Sequence, residues 1–81
     1  MPIKEFDKEA FTKRLKYLRT EKLQQTMAQV SQRIGMSEPT YRDYEAGRNG
    51  PKACFVYNFC AAYGISADWL LGLREGNPWV R

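Results

Sequence analysis

The stretch from Thr26 to Gly47 constrains the fold more than any other part of this 81-residue chain. Its first half carries apolar residues at spacings of three and four, which predicts one face of a short helix: Met27, Val30 and Ile34. Gly35 predicts the end of that helix, because glycine enters the left-handed conformation without steric cost. A second helix is predicted from Ser37, whose hydroxyl can cap it, to Gly47, which ends it.

The second helix has a predicted inner side and outer side. Pro39 lies in its first turn, where a missing N–H costs nothing, and Tyr41 and Tyr44 form an inward-facing i, i+3 pair. Met36 is placed to fill the corner between the two helices. This is the outline of a helix-turn-helix, whose second helix can enter the DNA major groove. An ordinary pair of core helices in a small bundle would show the same periodicity.

Length and charge narrow the class of protein. A chain of 81 residues forms one domain, near the lower limit for a self-sufficient core. Thirteen Lys and Arg against nine Asp and Glu give a net charge of +4. A modest basic excess favours polyanions such as nucleic acid, although many small proteins share it.

Several function classes are disfavoured by composition. The chain has no histidine, which removes the usual zinc spacings and most acid–base catalysis, so we expect no enzyme, no catalytic residue, no metal and no cofactor. Cys54 and Cys60 lie roughly 9 Å apart along one predicted helix, too far for a disulfide, which fits a reducing cytoplasm. No apolar run approaches membrane length and no signal peptide is recognisable, so we expect no membrane association.

The remaining helices are predicted from the spacing of apolar residues and from capping residues. After a short arm at residues 1–6, a helix is predicted from the cap Asp7 to about Lys22, and residues 23–25 form the connection. Beyond a loop at residues 48–51, a fourth helix is predicted at 52–63 and a fifth at 67–71. The tail, residues 73–81, carries Trp79, which either packs back on the domain or meets a second copy.

Residues 11–72 resemble the Cro/repressor-type (Xre-like) helix-turn-helix family. The matching motifs are Arg14-Leu15-Lys16-Tyr17-Leu18-Arg19, Ile34-Gly35-Met36-Ser37, Thr40-Tyr41-Arg42-Asp43-Tyr44-Glu45-Ala46-Gly47-Arg48, Pro51 and Gly64-Ile65-Ser66-Ala67-Asp68-Trp69-Leu70-Leu71-Gly72. The resemblance implies an all-α, five-helix lambda-repressor-like bundle, with a DNA-binding domain at 1–72 and a short tail at 73–81. It also implies a bacterial or phage transcriptional regulator, most simply a repressor, that binds double-stranded DNA as a homodimer in the nucleoid-associated cytoplasm.

The sequence departs from the family pattern where DNA contacts are expected. The connection between Arg19 and Thr26 is one residue longer than usual. The family often has a phosphate-holding Gln after the Thr at the start of the second helix; here that position is Met27, and Gln25 or Gln29 could substitute. The family's base-reading positions are occupied by Glu38 and Pro39.

Candidate DNA-binding residues fall at the start of each motif helix and after the second: Gln25, Thr26, Gln29, Ser37, Glu38, Pro39, Thr40, Arg42, Asp43, Arg48, Asn49 and Lys52. The helix start at Ser37 offers a phosphate site. Arg42 matches guanine O6 and N7, while Glu38 can accept from cytosine N4. Pro39 can contact a thymine methyl, and Thr40 can bond a phosphate or a base edge.

The residues after the second helix, Arg48, Asn49 and Lys52, are candidates for DNA-backbone contacts. Two residues also have simpler interpretations. Glu38 could simply complement the helix dipole, and Asp43 could simply pair with a neighbouring Arg, without either residue contacting DNA.

The resemblance also implies a structural ion pair between Arg19 and Glu45, which would lock the second motif helix against the first helix of the chain. A different function stays open, because the same fold serves as a protein-interaction module, for example as an antitoxin. The acidic and proline positions at 38 and 39, together with Trp79, fit that alternative. An antitoxin could also bind DNA, so the two functions overlap.

Overall fold

Five helices follow one another along residues 5–80, the part of the chain that the computed structural model describes. They are α1 (Lys8–Tyr17), which continues into a π-helical segment (Leu18–Leu23), then α2 (Met27–Ile34), α3 (Glu38–Ala46), α4 (Ala53–Tyr63) and α5 (Ala67–Leu71). The predicted all-α, five-helix bundle is confirmed. Residues 1–4 and 81 lie outside the described part, so the predicted arm is seen only from Glu5 onward.

The predicted helix boundaries are set by local caps. Asp7, Ser37 and Ser66 each accept a hydrogen bond from the backbone N–H three residues further on, at 3.0, 3.4 and 3.3 Å. Gly35 and Gly47 end α2 and α3 with φ angles of +75° and +78°. Residues with a Cβ rarely adopt such angles, so these two glycines allow the chain to turn sharply on either side of α3.

The first helix does not end as predicted. We expected an α-helix to about Lys22, but the helix widens into the π form at Leu18–Leu23. The carbonyl of Arg19 accepts from the N–H groups of both Gln24 and Gln25, and Gln24 takes a left-handed φ of +53°. A π turn holds one more residue per hydrogen bond than an α turn, so the helix ends in a wider turn before the connection to α2.

Aromatic rings form the centre of the core. Phe55 is 1% exposed and stacks on Tyr44, with ring centroids 4.0 Å apart and planes within 12°. The rings of Phe11, Tyr41 and Phe59 lie between 6.1 and 6.4 Å from that of Phe55. Large rings bury more area than other side chains, which lets a short chain assemble a core.

The tail packs back on the domain, the first of the two alternatives for Trp79. The carbonyl of Pro78 accepts from the N–H of Ser66 at 2.8 Å, and the N–H of Val80 donates to Gly64 at 3.0 Å. The indole of Trp79 packs against the core between these bonds. Residues 78–80 therefore lie as a short extended segment beside residues 64–66. Within residues 5–80, no helix is both long and apolar enough to cross a membrane.

Candidate nucleic-acid interface

The helix α3 presents two sides of different character. Tyr41 and Tyr44 are buried against the bundle, as predicted from their i, i+3 spacing. Pro39 and Arg42 are exposed on the other side, with two half-buried carboxylates beside them, Glu38 and Asp43, while Thr40 is exposed on a flank of the helix. The residues predicted to point outward therefore share one accessible surface.

A bidentate ion pair holds the inner side of α3. Arg19 donates from Nε to Glu45 Oε2 at 2.6 Å and from Nη2 to Oε1 at 3.1 Å. The two side chains are only 12% and 4% exposed. A third bond, from Nη1 to the carbonyl of Gln25 at 3.1 Å, ties the connection to the same guanidinium. The hydrogen bond with Glu45 raises the pKa of Arg19, so this pair stays charged and joins three segments.

Two phenols complete this buried cluster. The hydroxyl of Tyr63 on α4 donates to Gln25 Oε1 at 2.8 Å. The Tyr41 hydroxyl is buried beside the ion pair and has no hydrogen-bond partner within residues 5–80. Burial raises the pKa of both phenols, and the Glu45 carboxylate raises that of Tyr41 further. Both tyrosines are therefore neutral at physiological pH.

The start of α2 forms a capping box. The Thr26 side chain accepts from the N–H of Gln29 at 3.1 Å, while the N–H of Thr26 donates to Gln29 Oε1 at 2.9 Å. A backbone N–H can only donate, so the amide oxygen of Gln29 must face inward and its NH₂ group remains for a ligand. The first turn of α2 contains no acidic residue. The pattern Thr-x-x-Gln is a readable signal for this box that our sequence analysis missed.

The start of α3 offers fewer donors than the start of α2. Pro39 has no N–H, and the N–H of Thr40 is bonded to Ser37 Oγ. Glu38 places its carboxylate in the same turn, where it accepts from Arg42 Nη2 at 2.6 Å. The Glu38 N–H is thus the first-turn donor left for an anion, and a carboxylate lies beside it.

The segment after α3 brings some predicted residues together and leaves others apart. Arg48 donates to Asp43 at 3.0 Å, the pairing that we had considered as the simpler interpretation of Asp43. Asn49 and Lys52 are exposed, and neither side chain forms a hydrogen bond or ion pair within residues 5–80. Lys52 immediately precedes α4.

Metal binding and thiol chemistry depend on the arrangement of acidic and cysteine side chains. Among residues 5–80, no group of His, Cys, Asp and Glu side chains is arranged to hold a metal ion. Both cysteines are free thiols; Cys54 is exposed, and burial raises the pKa of Cys60 to about 11. Cys60 is therefore a small core residue at neutral pH.

These features define a class of protein. Two short helices, α2 and α3, are joined by a tight turn. Buried contacts on the inner side of α3 fix the helix, and its outer side is accessible. A family model described as a helix-turn-helix domain matches residues 10–70, so the chain belongs to this helix-turn-helix family, which is of the Cro/Xre type. Such domains are DNA-binding and typically non-enzymatic. No curated protein and no solved structure shows a significant match to the chain.

Proposed function

We propose that this protein is a sequence-specific transcriptional regulator, acting as a repressor, that binds double-stranded DNA as a homodimer in the nucleoid-associated cytoplasm. The observation that supports this function is the outer face of α3. Its exposed residues stand on a helix whose inner side is fixed by the Arg19–Glu45 pair and the two buried tyrosines. A fixed helix can place side chains reproducibly on base edges in the major groove.

The phosphate anchor is proposed at the start of α2. The positive end of the helix dipole, the free NH₂ group of Gln29 and the hydroxyl of Thr26 converge there, without an acidic side chain in the first turn. Gln25 is held beside them by Tyr63. The exposed residues beyond α3 would add contacts that position the protein without reading sequence: Arg48, Asn49 and Lys52.

Arg42 is the proposed base reader, and its partner in the free protein does not prevent this. The Glu38–Arg42 pair is about half exposed, and such pairs contribute at most about 1 kcal/mol. A bidentate contact with guanine is worth about 1–3 kcal/mol of discrimination. Arg42 therefore gains by turning toward a guanine, which leaves Glu38 able to accept from a neighbouring cytosine N4.

Selection from a random pool of double-stranded DNA tests the proposed function. We expect enrichment of an inverted repeat whose half-sites are about one helical turn apart. Affinity for the enriched site should fall roughly 10³-fold between 50 and 200 mM salt if about six phosphates are contacted. Weak, salt-sensitive binding to all DNA with no enriched sequence would contradict sequence-specific recognition.

Replacing Arg42 with alanine should cost about 1–3 kcal/mol of binding free energy on the selected site and relax specificity at one base pair. Fluorescence anisotropy on the selected site and on scrambled DNA measures both effects. Arg48→Ala is the matched control, because that exposed arginine is proposed to touch only the backbone and should weaken binding to both DNAs alike. An equal loss on both DNAs for Arg42→Ala would remove its assignment as base reader.

A protein-interaction module, for example an antitoxin, is the second candidate. The observation that favours it is that the arginine charges at the α3 surface are neutralised, because Glu38 and Asp43 each form an ion pair with an arginine. Such a surface attracts phosphate less than an unpaired basic one. If the intact protein enriches no DNA sequence, this candidate gains.

A further inference from the structure

The helix α4 has no charged residue on any side. The run from Ala53 to Ala67 contains no Lys, Arg, Asp or Glu, although 27% of the chain is charged. A helix whose sides are uncharged and mostly apolar is expected to be covered on most of them. One side of α4 lies in the core, but the opposite side is exposed to solvent. We name that exposed surface, together with the adjoining end of the tail, the α4 face: Cys54, Tyr57, Asn58, Ala61 and Val80.

The α4 face carries a projection and a hollow side by side. The ring of Tyr57 is 73% exposed and stands at the edge of a shallow depression. Small or apolar side chains line most of that depression, including Ala61, Ala67 and Val80, and Val80 is 61% exposed. One carboxylate, that of Asp68, lines it as well. A surface that holds both a knob and a matching hole can pair with a copy of itself across a two-fold axis.

We propose that a second copy of this chain covers the α4 face, with Tyr57 of each copy seated in the hollow of the other. Charge supports this occupant, because two molecules of net charge +4 repel each other and approach most easily through a surface without basic side chains. Within residues 5–80, no Lys or Arg lines the hollow, and its one charged residue, Asp68, is acidic. The proposal rests on the proposed function in one respect, since a two-fold DNA site requires a two-fold protein. It goes beyond that function by assigning the surface that forms the dimer.

Sedimentation equilibrium of the whole chain without DNA tests the α4 face. Tyr57→Glu should raise the dimer dissociation constant roughly tenfold or more, because a carboxylate without a partner would be buried in the interface. Leu73→Glu is the matched control: Leu73 is 77% exposed, close to the 73% of Tyr57, but lies outside the α4 face. The control should change the dissociation constant less than about twofold, and thermal unfolding verifies that both variants fold.

The outcomes separate this proposal from the proposed function. A wild-type chain that remains monomeric, or equal effects of Tyr57→Glu and Leu73→Glu, would overturn the proposal that a second copy covers the α4 face. The same holds if a different protein is found to cover that face. DNA selection could still succeed in that case. A dimer that Tyr57→Glu disrupts, in a protein that enriches no DNA, would support the α4 face and contradict the DNA-binding function. If both proposals are correct, the Tyr57→Glu variant still binds one half-site, but it loses most of the additional affinity that the second half-site gives a dimer.

Discussion

Replacing Glu45 with alanine is expected to lower the free energy of unfolding by about 3–5 kcal/mol. The substitution leaves the Arg19 guanidinium, which is only 12% exposed, without its counter-charge and without two of its hydrogen bonds. A domain of 81 residues has a total stability of only about 4–12 kcal/mol. The loss is therefore a large fraction of the whole, and binding to the selected DNA should fall with it.

Urea unfolding followed by circular dichroism measures this effect. Asp43→Ala is the matched control, because it removes an α3 carboxylate whose pair with Arg48 is largely exposed, and it should cost less than about 1 kcal/mol. The double variant Arg19→Met, Glu45→Leu should recover most of the lost stability, since apolar residues of similar volume can replace a buried pair. Equal destabilisation by Glu45→Ala and Asp43→Ala would mean that burial of the pair has no energetic consequence.

The second large effect is expected in the aromatic core. Phe55→Ala should cost about 3–5 kcal/mol, through lost apolar burial and the cavity that remains. Phe55 is 1% exposed and lies against four other rings, including the stacked Tyr44 of α3. Loss of this ring should therefore loosen α3 as well as α4, which hydrogen exchange of the α3 amides would detect.

Tyr57→Ala provides the control for Phe55→Ala. It lies two residues further along the same helix, but its ring is 73% exposed. In the monomer, we expect it to change the free energy of unfolding by less than about 0.5 kcal/mol. A Phe55→Ala variant as stable as Tyr57→Ala would show that the core refills the space, contrary to close packing.

Local patterns were sufficient to predict most of the fold. Each cap, each terminating glycine and each buried stripe depends on residues within one or two turns, so the sequence displays them directly. The π-helical segment could not be predicted in this way, because the apolar spacing that predicts an α-helix does not distinguish i→i+4 from i→i+5 bonding. The docking of Trp79 was also left open, since its partners at residues 64–66 are fixed by the fold rather than by their neighbours.

The candidate site likewise contains features that neighbouring residues predict and features that only the fold determines. The outward and inward sides of α3 followed from the spacing of Tyr41 and Tyr44. The Glu38–Arg42 pair has the i, i+4 spacing that predicts such bonds, although we considered other roles for both residues. The bond from Tyr63 to Gln25 spans 38 residues, and no local signal could have indicated it.

The residues proposed to recognise DNA and the residues that hold α3 in the bundle are different. The inner residues that hold the helix are Tyr41, Tyr44 and Glu45, whereas the outer ones are Glu38, Pro39 and Arg42. Because the two sets do not overlap, the outer set can change one residue at a time while the bundle stays intact. A lineage of such chains could therefore acquire a new target gradually, without ever passing through an unstable ancestor.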